Sequence, residues 1–295
     1  MTLDQLRIFA VVAQHQHITK AAKTLNMTQS AVSAAVTALE QRHGVTLFDR
    51  VGRSIVLNQT GRIFLERATR VLSEAKAAEA ALDDLAGLQR GELSIMASQT
   101  IGAYWLPLRL ARFHGRYPGI SLDVRIGNTQ ATADAVEAGL VEVGVVEGQV
   151  DRPALSSRVV AIDEMIIVAA PGNPLADLRF VDRAHLARVP WVLREPGSGT
   201  RRAFESMAEK ENLAISALGI AMVLPGNEAV LGAVEAGVGV TLTSRSAAAT
   251  ALSAAVLREV AYPPVPRPFF LLRHKERYRS KATAAFEALL AEDED

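Results

Sequence analysis

Apolar positions recur at helical spacing through the first sixty residues. Leu3, Leu6, Phe9, Ala10 and Ala13 predict a first helix. Ala21, Ala22 and Leu25 predict a short second one, with Thr19 placed ahead of it as a capping residue. Thr28, another capping type, opens a third, on which Ala31, Val32, Ala35, Val36 and Leu39 form one stripe. Gly44 stops that helix, and Val45 to Arg50, a turn at Gly52-Arg53, and Ser54 to Leu57 predict a hairpin. From Thr60, the residues Phe64, Ala68, Val71, Ala75, Ala78, Leu82 and Leu85 alternate spacings of four and three, an a/d seam. At 1.5 Å per residue that helix is about 40 Å long, and a second copy of itself is the simplest cover for its seam.

The period changes beyond Gly87 and Gly91, which bracket Leu88-Gln89-Arg90 as a junction. Leu93, Ile95 and Ala97 alternate as a strand, and Ser98-Gln99-Thr100 opens a helix through Trp105, Leu108 and Phe113. Ile120, Leu122, Val124 and Ile126 alternate again, Gly127-Asn128-Thr129 starts the next helix, and Leu140 to Val146 follows as a strand. Further strands are predicted at Val159 to Ala161, Met165 to Ala170, Trp191 to Leu193, Ile220 to Leu224, Val238 to Leu242 and Phe269 to Leu272. The rhythm is that of parallel βαβ units, and Glu235-Ala236-Gly237 echoes Glu137-Ala138-Gly139 as though two lobes were alike. The four prolines between Pro263 and Pro268 predict an extended crossover.

Charge sharpens the first part. The 295 residues carry no net charge, but residues 1 to 65 hold seven Lys and Arg against three Asp and Glu, so 7 − 3 = +4. A basic end on an otherwise acidic chain suits a polyanion. Two short helices across a tight turn, followed by a hairpin with Arg50 and Arg53 near its tip, have the form of a winged helix-turn-helix. The third helix would read a duplex through Thr28, Gln29, Ser30, Ser33 and Thr37, while the two arginines meet phosphates or a minor groove. The plainer alternative is an ordinary helical hairpin with solvated arginines.

The run LxxLxxFxxVAxxxxxTxAAxxLxxxQSAVSxxVxxLExxxGxxLFxRxxRxxxLxxxG, from Leu3 to Gly61, resembles the DNA-binding domain of the LysR-type transcriptional regulators. It departs from the family's usual Gly at Gln16, Leu at His43 and Thr at Asn58. The resemblance implies that Gln29, Ser30 and Ser33 face the groove with Arg53 on the wing, and that the long helix is a dimerising linker. It also implies an effector held between two regulatory lobes, with contacts from Ser98 to Thr100 and from near Thr200. The expected architecture is an α+β and α/β multidomain chain. A DNA-binding domain (residues 1–58) precedes a linker helix (59–88) and a two-lobed, periplasmic-binding-protein-like effector domain (89–295). Lobe I takes about 92–161 plus 268–295, and lobe II about 162–267.

In open parallel sheets, ligands sit beyond the carboxyl ends of strands, where helix N-termini offer free N–H groups. Such turns place Ser98, Gln99, Thr100, Asn128, Ser198, Thr200 and Asn227 as effector contacts. Any single one of these could equally be a plain helix cap. Arg194 ahead of the Gly197-Ser198-Gly199-Thr200 turn, with Arg201 and Arg202 behind it, favours a small anion, an inorganic oxyanion or small carboxylate. Glu147 either meets a ligand hydroxyl or pairs with Arg194.

Other classes fit less well. The sequence holds no GxSxG, no HExxH, no Walker lysine and no third glycine after Gly237-Val238-Gly239, so catalysis is not expected. There is no cysteine, and His15 and His17 fall on different helix faces; neither a metal nor another cofactor is expected. The amino terminus MTLDQLRIFA reads as an amphipathic helix and not as a signal peptide, and the strongest apolar run, Met165 to Ala170, is strand-sized. The expectation is a cytoplasmic regulator with no membrane segment. Its partners would be double-stranded promoter DNA, itself as a homodimer or homotetramer, and RNA polymerase. The rival is a solute-binding protein of the two-lobed periplasmic type, which residues 92 to 295 alone would resemble.

Overall fold

The computed structural model describes residues 1–52, 54–85 and 90–292, which form two compact units, one built on Met1–Leu85 and the other on the described residues downstream. Arg53 on the wing and the Gly87 to Gln89 part of the junction lie outside the described residues.

The first unit begins with α1 (Leu3–His15), opened by a capping box in which Thr2 Oγ1 accepts from the Gln5 amide at 3.2 Å and Gln5 Oε1 accepts from that of Thr2 at 3.1 Å. Next come α2 (Ile18–Thr24) and α3 (Gln29–His43). Thr19 does not cap α2: it lies inside the helix, and its hydroxyl donates to Gln29 Oε1 at 3.1 Å, tying α2 to α3. Thr28 does cap α3, accepting from the Ala31 amide, and Gly44 closes it at φ +64°, a left-handed turn that favours glycine. The wing is β1 (Phe48–Val51) paired antiparallel with β2 (Ser54–Leu57). Asn58 then caps α4 (Gln59–Leu85) by accepting from the Gly61 amide at 2.8 Å, so the substitution for the usual Thr keeps the capping oxygen.

Phe9 is the centre of this unit, with its ring centroid 5.5 Å from Phe48 and 4.9 Å from Phe64. The heptad seam is therefore shared between two tasks. Phe64 and Ala68 pack into the local core with Leu6, Phe9 and Leu57, whereas Val71, Leu82 and Leu85 stay exposed, the last two at 69% and 84%.

The second unit carries a nine-stranded mixed sheet. In chain order its elements are β3 (Gly91–Ser98), a π turn at Ile101–Trp105 leading into α5 (Leu106–Arg116), β4 (Ile120–Gly127), α6 (Thr129–Ala138), β5 (Val143–Glu147) and β6 (Leu155–Ala169). Then follow α7 (Arg183–Leu186), β7 (Trp191–Arg194), α8 (Gly199–Lys210), β8 (Ile220–Leu224), α9 (Asn227–Glu235), β9 (Val240–Ser244), α10 (Arg245–Ser253), β10 (Arg258–Glu259), β11 (Val265–His274) and α11 (Lys281–Ala291). The strand order is β4-β3-β5-β11-β6-β9-β7-β8, with β10 on β6.

Two parallel groups, β4-β3-β5 and β9-β7-β8, flank a central antiparallel pair, β6 and β11. The strands predicted separately at 159–161 and 165–170 are one continuous strand, and the sheet is not parallel throughout. The proline stretch is likewise strand from Val265 onward. Pro268 directs its carbonyl away from β6, towards the Gly148 amide at 3.2 Å. Its absent N–H, and that of Pro266 two residues earlier, therefore fall on the side where no ladder bond is needed.

Each flank has its own core. Leu93, Ile95, Phe113, Val143 and Phe286 pack on one side of the central pair, and Trp191, Leu193, Phe204 and Met207 on the other. The Trp191 indole satisfies its N–H on the Leu186 carbonyl at 3.0 Å. No helix among the described residues is long and apolar enough to cross a membrane.

Candidate functional site

On α3, Val32, Val36 and Leu39 turn inward, leaving Thr28, Gln29, Ser30, Ser33 and Thr37 on the exposed face. Ala34 shares that face and was not anticipated, because a methyl group carries no donor or acceptor to single it out. Arg50 stands exposed on β1, opposite Ile55. Wing and reading helix are locked together by Glu40, whose Oε1 accepts from the Leu47 amide at 2.7 Å. The face can therefore offer hydroxyl, amide and methyl groups to a groove as one rigid surface.

The predicted effector residues of the second unit gather at the carboxyl ends of β3, β4, β5 and β7 and at the starts of α8 and α9, where the two flanks of the sheet meet. Four of the nine are bonded to one another across that junction. Asn227 donates from Nδ2 to Thr100 Oγ1 at 3.1 Å and from its amide to Gln99 Oε1 at 2.9 Å, and its Oδ1 accepts from Arg194 Nη1 at 2.5 Å. Gln99 Nε2 and the Tyr104 hydroxyl both donate to the Glu228 carboxylate, at 3.1 and 3.2 Å. Partial burial, then the charge and hydrogen bond of Glu228, hold the Tyr104 phenol above its ordinary pKa.

Arg194 spends its Nε and Nη2 on Glu195, at 2.8 and 2.9 Å, so the pairing with Glu147 left open by the sequence is not made. Burial pushes the Glu195 carboxyl up, but the hydrogen bond and charge of Arg194, the Glu195 backbone amide and Asn128 together outweigh it and the net shift is downward. Glu147 is buried and accepts from Thr129 Oγ1 at 3.2 Å. It lies against the first residue of α8: a Cβ on Gly199 would come within 2.9 Å of Glu147 Oε2, so glycine is what lets the helix begin there. Asn128 caps α6 through the Ala131 amide at 2.9 Å, and a Cβ on Gly197 would come within 3.4 Å of its Nδ2. Ser198 precedes α8 without capping it through its side chain, and Ser98 Oγ is buried with no partner among the described residues.

Thr200 leads to two residues that sequence reasoning passed over. Its Oγ1 accepts from Arg267 Nη1 at 3.1 Å, and Arg267 is paired with Asp163 by Nε at 3.2 Å and Nη2 at 2.5 Å. Ser244 Oγ donates to the other oxygen of Asp163 at 2.8 Å. The available signal was a lone Asp-Glu within the apolar run Val159 to Ala169 and a lone Arg between prolines, and each looked like an interruption of a strand. The arginines expected to make the cleft basic are largely matched: Arg201 by Glu205 one turn along, Arg202 by the Gln149 carbonyl.

Residues 3–62 match the family described as bacterial regulatory helix-turn-helix protein, lysR family, and residues 86–294 match the LysR substrate binding domain. The chain belongs to the LysR family of transcriptional regulators. Among relatives, it is 36% identical over 288 residues to the uncharacterized HTH-type transcriptional regulator YeiE of Escherichia coli (strain K12), covering 97% of this chain and 96% of that one. It is 33% identical over 290 residues to a "Probable RuBisCO transcriptional regulator" of Cyanidioschyzon merolae (strain NIES-3377 / 10D), covering 97% and 96%. In fold this LysR-family chain resembles full-length CbnR complexed with its target DNA, with a TM-score of 0.71 at 23% identity over 99% of both chains. It also resembles the regulatory domain of Synechocystis PCC6803 CcmR in complex with 2-PG, with a TM-score of 0.64 at 20% identity over 69% of this chain and 97% of that one.

Proposed function

We propose that this LysR-family regulator binds promoter DNA as a paired reading head and changes its grip when a small anion occupies the cleft between its lobes. The observation that carries this reading is the cross-lobe network of Gln99, Thr100, Arg194 and Asn227, which joins strand-end turns of both flanks at one point. A ligand engaging those groups alters the relative free energy of lobe arrangements, and DNA spacing reads the difference out. In this reading residues 1–58 contact the duplex through Thr28, Gln29, Ser30, Ser33, Thr37, Arg50 and Arg53. Residues 59–88 dimerise, and residues 89–295 take the effector, with Ser98, Asn128, Glu147, Ser198 and Thr200 completing the contacts. The DNA in the CbnR complex and the 2-PG in the CcmR complex support the two halves by analogy of fold.

Self-association is supported by apolar surface. Besides the α4 seam, both edge strands of the sheet expose it: Val124 and Ile126 on β4, Met222 and Val223 on β8. Two kinds of apolar surface suit two kinds of contact, and hence a homotetramer. The protein works in the cytoplasm beside RNA polymerase, without catalysing a reaction and without a metal or other cofactor.

A mobility-shift assay on promoter fragments tests the assignment. Removal of residues 1–58 is expected to abolish duplex binding while ligand binding persists, and Ser33→Arg to disrupt base reading without changing ligand affinity. Duplex binding that survived the deletion would overturn the reading in favour of a solute-binding protein.

A further inference from the structure

We propose that Arg267 is the residue that selects a negatively charged effector, with Asp163 the carboxylate that competes for its guanidinium. This rests on the reading of the cleft as an effector site. The pair is 4% exposed on each side and occupies one register position of β6 and β11. That position is where the strands pass between flanks: β9 joins β6 from Met165, and β5 joins β11 from Phe269.

Arg194 also uses three of its five N–H groups, but its Nε and Nη2 each take a separate oxygen of Glu195 while Nη1 goes to Asn227, and Arg201 is bonded through Nε to Glu205. Arg267 is held differently. Its Nε and Nη2 share a single oxygen of Asp163, because the other oxygen is taken by Ser244. One further N–H goes to Thr200, so three of the five guanidinium N–H groups are used and one remains on each terminal nitrogen. A buried guanidinium strongly favours filling such donors, and two terminal N–H groups in one plane suit two oxygens of a carboxylate or oxyanion. The Phe269 ring, 5.7 Å from the guanidinium carbon, helps to fix the plane.

Thr200 gives the site its second half. It lies in the first turn of the twelve-residue helix α8, whose free amide groups favour negative charge. An anion there meets the helix start and Arg267 together, and Asp163 competes with it for the same guanidinium. Charge at the effector site is thereby coupled to the strands that join the lobes.

The test uses the full-length protein, inorganic sulfate and succinate as probes, and isothermal titration calorimetry at fixed ionic strength. Circular dichroism and operator binding serve as controls of folding. Arg267→Met is expected to weaken whichever anion binds by about tenfold or more, and Arg267→Lys to restore only part, since an ammonium lacks the planar fork. Asp163→Asn is expected to strengthen anion binding by about threefold or more by removing the competing charge, which a purely structural pair would not do. Wild-type affinity in folded Arg267→Met, or weakening in Asp163→Asn equal to that in Arg267→Met, would overturn the proposal while leaving the cleft reading intact. Anion binding unchanged by both Arg267→Met and Thr200→Val, or no binding of either probe by the wild-type chain, would overturn the cleft reading as well.

Discussion

Asn227 Nδ2 donates to Thr100 Oγ1 at 3.1 Å, fastening the first residue of α9 to the turn that follows β3 on the other flank of the sheet. Both side chains are buried, so the bond cannot be exchanged for one to water without moving the flanks apart.

Thr100→Val keeps the shape and removes the acceptor. It is expected to lower the stability of the effector-binding unit by about 1–3 kcal/mol, the cost of a buried amide left short of a partner. Urea denaturation checks this, with Thr100→Ser recovering most of the loss. A valine variant as stable as wild type would show that the clasp contributes nothing.

The Tyr104–Glu228 bond adds a pH dependence whose sign is set by the proton. Partial burial first, then Glu228, raise the Tyr104 phenol, so the contribution is complete below the unfolded value of about 10 and is lost as pH rises through the higher folded value. Tyrosinate absorbance should show a late-titrating phenol that disappears in Tyr104→Phe. A phenol titrating at or below its ordinary value would contradict the contact.

The exposed seam of α4 predicts an assembly defect. Leu82→Glu combined with Leu85→Glu puts charge where both side chains are most exposed, leaving the packed Phe64 and Ala68 untouched. Sedimentation should show loss of the dimer, and operator affinity should fall by about a hundredfold or more as two linked contacts become one. An unchanged sedimentation coefficient would remove α4 as the dimer contact.

Gly61 predicts a stability defect in the other unit. A Cβ there would lie 2.2 Å from the Leu47 carbonyl oxygen and 2.7 Å from Leu57 Cδ1, so the first turn of α4 could not stay against the wing. Gly61→Ala is expected to cost about 1–3 kcal/mol in denaturant unfolding, by overpacking.

The reading head was legible in the sequence because its signals are local. Thr28, Gly44 and the Gly52 turn each act within a few residues, and they bound α3 and the wing where the pattern put them. Thr19 was misread because its partner, Gln29, is ten positions away on another helix. The same limit hid the centre of the second unit. Asp163 looks like the end of a strand until Arg267, more than a hundred residues later, supplies the opposite charge and makes β6 continuous. Likewise, the turns at Thr100 and Asn227 were visible singly, whereas their bond across the sheet is a product of topology.

Continuity of β6 has a mechanical consequence. A strand of fifteen residues, paired with β11 from Leu155 to Met165, gives the flanks no slack loop on which to swing open. What a two-stranded ribbon does readily is coil, and the irregularity at Phe269/Phe270 is the kind of interruption at which coiling concentrates. In the proposed mechanism the link between the flanks is therefore torsional: occupancy of the cleft would set an angle between them rather than a gap.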